Sequence, residues 1–190
     1  RIRGERAVAI ALDASGVPVE SSMFMAPSFD HRAEFEHILQ KHAGRKIIVF
    51  RPLVDWDLPL FQRPHHIAAR LARQGFLYFY CTPNAYDGID GFREIEDGLY
   101  LTNQFDLVSG LYAEKIVHLY STDNHCSLDY VRGQQAAHAQ IIYEYIDEID
   151  PTISGADIPQ HVWDKHNALI ADENVICIAS ADKLYNEVRE

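Results

Sequence analysis

Basic charge is scarce in this 190-residue sequence: 17 Lys and Arg stand against 28 Asp and Glu, a formal net charge of −11. That argues against binding DNA or RNA, because little in such a chain replaces the counterions that phosphates hold. No run nears the ~18 apolar residues of a membrane span, and no signal-peptide pattern occurs. Cysteine is sparse too. Cys81, Cys126 and Cys177 form no CxxC. They read as small core hydrophobes of a reducing compartment, without disulfide framework or zinc site. Nucleotide fingerprints are also missing: the chain has no GxGxxG, GxxxxGK[ST] or GxSxG, so no glycine loop can close around a pyrophosphate. These absences leave an acidic protein, expected to be cytoplasmic, that requires neither metal nor cofactor.

What is present builds a core. Apolar residues make up 47% of the chain, enough for one folded domain and too many for a disordered tail. The chain opens on Arg1 and stops at Glu190 within a helical pattern, and is expected to be a piece of a longer protein. Residues 7–25 suit a hairpin whose second arm is weakened by Pro18. Phe35, Ile38, Leu39 and His42 recur at helical spacing up to Gly44. Residues 1–44 are therefore assigned to an N-terminal hairpin and helix extension, and 45–190 to the main domain.

From 45 onward, short apolar runs alternate with helical ones. Strands are expected at 46–50, 76–83, 115–123, 140–147 and 174–180, with a short one at 99–104. Helices are expected at 65–75, 127–135 and 158–172, a weaker one at 105–115, and a last one beginning at 181. That order predicts an α/β fold: a Rossmann-like, open, mostly parallel sheet with helices on both faces. Ligands of such sheets gather at the carboxyl ends of the strands, which singles out the loops 51–64, 81–91, 121–126 and 147–157.

The first of these loops carries Arg51, Asp55, Trp56, Asp57, Gln62 and Arg63. A flat indole beside carboxylates suits a sugar, with a face for C–H groups and acceptors for hydroxyls. Equally, Trp56 and Phe61 can plug the loop while Asp55 pairs with Arg63. His65 and His66 point about 100° apart on a helix, so they suit capping or surface roles better than one metal. In the third loop, turn chemistry accounts for Ser121 to Asn124 and leaves His125 as a candidate substrate contact. The fourth holds the densest acidic cluster, with Glu144, Asp147, Glu148 and Asp150 around a strand end. Asp147 and Glu148 are the candidates there for acid–base work or hydroxyl binding.

The order of these pieces resembles a known family. Trp56 followed by Gln62-Arg63-Pro64-His65 looks like the "W…QRPQH" entry to the first helix in GT-B glycosyltransferases, specifically the family 4, "group 1" retaining enzymes. Tyr143-Glu144-Tyr145-Ile146-Asp147-Glu148 is similar to their "YDxxDE" strand end, and Ser180-Ala181-Asp182-Lys183-Leu184 to their "S-S/A-x-x-L". The resemblance covers about residues 45–190. It departs at Glu144, which stands where an Asp is usual, and at RPLVDWDLP, which replaces a glycine-rich loop. It implies one half of a GT-B fold: the N-terminal, acceptor-binding half of a retaining enzyme. The C-terminal donor-binding domain would follow in sequence. A nucleotide-sugar would be the donor, a glycan the acceptor and polysaccharide synthesis the setting, with room for peripheral membrane association of the full-length protein. On this basis His125 and Asp147 are catalytic candidates, and Asp55, Trp56, Arg63 and Glu148 substrate-binding ones. The competing expectation is a non-catalytic α/β module that recognises a carbohydrate or a protein partner.

Overall fold

The computed structural model describes residues 30–123, 125–155 and 157–189. The hairpin expected over residues 7–25 lies outside them. The fold below is that of the unit His31–Glu190.

Seven strands form one sheet. In chain order they are β1 (Ile47–Phe50), β2 (Leu77–Cys81), β3 (Phe92–Glu96), β4 (Leu99–Thr102), β5 (Lys115–Tyr120), β6 (Gln140–Tyr145) and β7 (Val175–Ala179). Their order across the sheet is β3-β4-β2-β1-β5-β6-β7. Every pairing is parallel except β3 with β4. The α/β, Rossmann-like expectation is thus met, and the five longer apolar runs are all strands. The strand missed by the apolar pattern is β3. Its FREIE is too charged to read as buried, and it sits where only an edge strand can, closed onto β4 by a turn at Asp97-Gly98 with Gly98 at φ +82°.

The helices are α1 (His31–Lys41), α2 (Arg63–Arg73), α3 (Phe105–Ser109), α4 (Leu128–Ala136), α5 (Pro151–Ser154), α6 (Gln160–Ile170) and α7 (Asp182–Arg189). Strand side chains alternate between two faces. On the first face, Val49, Leu77, Phe79 and Cys81 meet Phe35 and Ile38 of α1. Farther along it, Val117, Leu119, Ile141, Tyr143 and Val175 meet Val131 of α4, Val162 and Leu169 of α6 and Leu184 of α7. The sequence boundary at residue 45 therefore falls after a helix that packs into the sheet. On the second face, Ile48, Phe50, Tyr78, Tyr80, Leu99 and Leu101 pack on Ala68 and Ala72 of α2. The alanines let that helix lie close.

Topology fixes where a ligand can sit. From the central β1 the chain crosses by α2 to β2 on one side, and later enters β5 on β1's other side. The carboxyl ends of β1 and β5 thus flank the switch point, where crossovers diverge and leave a crevice.

Candidate functional site

A cleft of about 240 Å³ opens at that switch point. Its walls are Phe50 to Val54 after β1, Gln62 to Pro64 at the start of α2, Tyr120, Thr122 and Asp123 after β5, and Ile146 and Asp147 after β6. It is smaller than the roughly 300–1,000 Å³ of typical cofactor pockets.

Three polar groups around it are notable. Asp123 is buried, at 2% exposure. Its Oδ1 accepts the His125 N–H at 2.7 Å; Oδ2 is shielded and makes no well-formed hydrogen bond, and the Cys126 thiol lies beside the carboxylate. Tyr120, 7% exposed, has its hydroxyl beside the Arg63 guanidinium and the Glu144 carboxylate, without a well-formed hydrogen bond to either. Burial, and then the charge of Glu144, push its phenol pKa up, so it remains a donor. A shielded polar atom without a partner is costly, about 1–3 kcal/mol, and a ligand or solvent hydroxyl relieves it. Asp147 is exposed on the opposite lip.

Arg63, at the helix entrance, forms the basic side. Its Nε donates to Glu144 Oε2 at 3.1 Å, and Glu144 Oε1 lies 3.5 Å from His118 Nε2. Burial alone would raise the Glu144 carboxyl. The His118 and Arg63 contacts outweigh it and hold the pKa below the ordinary 4.5. Arg51 stacks its guanidinium 4.5 Å from the centre of the Phe105 ring.

The structure separates the sequence candidates. Arg63 and Asp147 line the cleft. Asp55 and Trp56 do not. Asp55 is buried and its carboxylate accepts Thr82 Oγ1 at 2.9 Å, Ala85 N at 3.2 Å and Tyr86 N at 2.6 Å. Asp87 returns the arrangement, accepting Trp56 N at 2.9 Å and Asp57 N at 2.7 Å, and the single Thr82 hydroxyl proton is shared between the two carboxylates. The two loops are thus latched carboxylate to backbone in both directions. Trp56, 5% exposed, packs edge-on against Tyr80 and His65, so the plug, and not the sugar platform, is what the indole provides. The pairing expected of Asp55 with Arg63 is replaced by Asp55 with the 82–86 loop and Arg63 with Glu144.

Glu148 turns away from the cleft to an ion pair with Lys183. His125 is exposed and lies off the cleft wall, its amide closing a turn on Asp123. His65 is fully buried: Nδ1 accepts the Gln62 N–H at 3.0 Å and Nε2 donates to the Asp55 carbonyl at 2.9 Å, a capping role. Sequence reasoning passed over Asp123 and Tyr120. Asp123 looked like one more turn residue, and Tyr120 like one more apolar strand position; only the sheet order brings them to β1.

Among the described residues, His42, Glu94 and Asp97 bring ligand-type atoms within 4.8 Å of one another. Lys41 and Arg45 already neutralise the two carboxylates, at 2.6 and 2.7 Å, so the donor set is poor for a cation. Compared with protein-family models, with curated protein sequences and with solved structures, the chain matches none of them.

Proposed function

We propose that the switch-point cleft is the acceptor side of a sugar-transferring site, and that the chain is the N-terminal half of a GT-B type retaining glycosyltransferase. In this reading a second Rossmann-like domain, following in sequence, holds the nucleotide-sugar donor. The acceptor is a glycan, and the setting is cytoplasmic synthesis of cell-surface polysaccharide. The observation that carries the reading is that Asp123 and Tyr120, whose Oδ2 and hydroxyl are shielded and make no well-formed hydrogen bond, line the same small cleft. A carboxylate oxygen and a phenol are an acceptor and a donor for neighbouring hydroxyls of a sugar. Asp147, across the cleft, adds a second acceptor. The absence of a glycine loop after β1 agrees with a diphosphate bound elsewhere.

Transfer with retention needs stabilisation of an oxocarbenium-like centre and of the departing diphosphate. This half contributes orientation: Asp123, Tyr120 and Asp147 hold the acceptor hydroxyls, and Arg63, fixed by Glu144, supplies positive charge at the mouth. Asp55 and Trp56 act at one remove, by setting the loop that forms the wall. Calorimetric titration of UDP, GDP and ADP tests the division of labour. The chain Arg1–Glu190 gives no binding heat, whereas a chain extended through the following domain binds one of the three. Tight nucleotide binding by Arg1–Glu190 alone refutes the reading.

A further inference from the structure

The second face of the sheet is covered unevenly. There α2 packs over β1, β2 and β4 through Ala68 and Ala72. Among the described residues, no helix packs over β6 and β7 on this face, since α4, α6 and α7 pack on the other, whereas Ile116 and Tyr120 of β5 still join the α2 cluster. A parallel sheet ordinarily buries both faces. Here Ile142 is half-buried, and Ile176 and Ile178 are 47% and 38% exposed. Between this floor and the flank of α2 runs a groove of about 570 Å³, lined by Ile48, Ile67, Leu71, Ile142 and Ile178.

We propose that this groove is a docking site for one amphipathic helix that carries acidic residues along one flank. The proposal is independent of the sugar-site reading. Dimensions favour a helix. Two strand spacings, β5 to β7, give about 10 Å of width, and a helix is about 10 Å across. The six residues of β6 run about 20 Å, the length of a helix of roughly 13 residues.

Charge selects the flank. The chain carries −11 overall, yet α2 contains no acidic residue and turns Arg63, His66 and Arg70 toward the groove. Glu144 and His118, on the floor, are engaged with Arg63 and with each other. Arg70 has no ion pair among the described residues, and its charge is left for a partner. An anionic bilayer meets the same cations less well, because a flat surface does not reach a floor set below the ridge of α2. Two copies joined groove to groove would bring Arg70 against Arg70.

The probe is a helical Leu/Ala/Glu peptide of roughly 16 residues, long enough for the groove, with leucines at i, i+3, i+4 and i+7 and glutamates on one flank. Its twin has lysine for glutamate. Fluorescence anisotropy reads binding to the chain and to two variants, Ile178→Asp and Arg70→Glu. Both substitutions are at exposed positions, and unchanged circular dichroism confirms their fold. The proposal expects the glutamate peptide to bind at least tenfold more tightly than the lysine twin. Ile178→Asp weakens it at least tenfold, and Arg70→Glu inverts the preference. Equal binding of both peptides, or of neither, overturns it. So does self-association of the chain that Ile178→Asp abolishes, or binding to anionic phosphatidylglycerol vesicles by a chain that ignores the peptide.

Discussion

Asp55→Ala removes the carboxylate that latches the β2–β3 loop to the β1–α2 loop. Two backbone hydrogen bonds are lost, from Ala85 N and Tyr86 N, with Asp55's share of the single Thr82 hydroxyl proton. Hydrogen bonds to a charged acceptor are each worth about 1.5–3 kcal/mol. Ala85 and Tyr86 are exposed residues, so their amides regain water in the variant and return part of that sum. Thr82 is buried and keeps Asp87 as its partner. The net loss comes to about 2–4 kcal/mol. At 2–4 °C per kcal/mol in a domain of this size, the melting temperature falls by about 4–16 °C. Thermal unfolding followed by circular dichroism reads it. Asp55→Asn, which keeps one acceptor oxygen, falls between. Because Asp55 lies outside the cleft wall, saccharide binding below the transition stays within about threefold of the parent, a change of ~0.7 kcal/mol. A melting temperature within about 2 °C of the parent, together with lost saccharide binding, would refute the latch and make Asp55 a ligand contact.

Asp147→Asn has the opposite signature. Asp147 is exposed and lines the cleft, so saccharide affinity drops while the melting temperature moves by about 1 °C or less; a large thermal loss would make it a structural cap. Glu144 ties stability to acid pH. Its folded pKa lies below the ordinary 4.5, so the stability it contributes is complete above the unfolded value and disappears as pH falls through the folded one. The stability gap between the parent and Glu144→Gln therefore narrows as pH is lowered from 5 towards 3, as urea denaturation measures; a gap constant with pH would contradict the ion pair with Arg63 and the contact with His118. Burial, with the nearby Asp123, pushes the Cys126 thiol up to about 12, and burial pushes Cys81 higher still. Their native-state alkylation at pH 8 is therefore more than roughly 1,000-fold slower than that of a free peptide thiol, Cys81 the slower of the two. Labelling of either at the peptide rate would show that the core around them opens readily.

The strands were legible because burial on both faces leaves nearly continuous apolar runs, as in KIIVF and FLYFYC. Helix α2 was legible from its alanine stripe and the closing Gly75. The edge strand β3 was not, because a half-exposed antiparallel strand gains nothing from being apolar and its FREIE resembles a loop. Within the site, Asp147 was found because it lies just past the end of β6, and Arg63 because it opens the helix that follows the β1 loop. Asp55 was misjudged for a reason local pattern cannot repair. Its partners, Ala85 and Tyr86, lie 30 and 31 residues away, and only the side-by-side placement of β1 and β2 joins them. Asp123 shows the converse. Its Oδ1 does make the turn hydrogen bond the sequence foretold, and the proposed sugar contact falls to the other oxygen, whose shielding is a property of packing.

The central claim, that the switch-point cleft receives sugar hydroxyls through Asp123 and Tyr120, is tested most directly by a ¹H–¹⁵N correlation titration with a panel of hexoses and short glycans. The account predicts saturable shifts confined to Arg51, Leu53 and Val54, Tyr120 to Asp123, and Ile146 and Asp147, all abolished in a folded Asp123→Ala variant. Saturable shifts clustered elsewhere on the sheet, or undiminished in that variant, would contradict it.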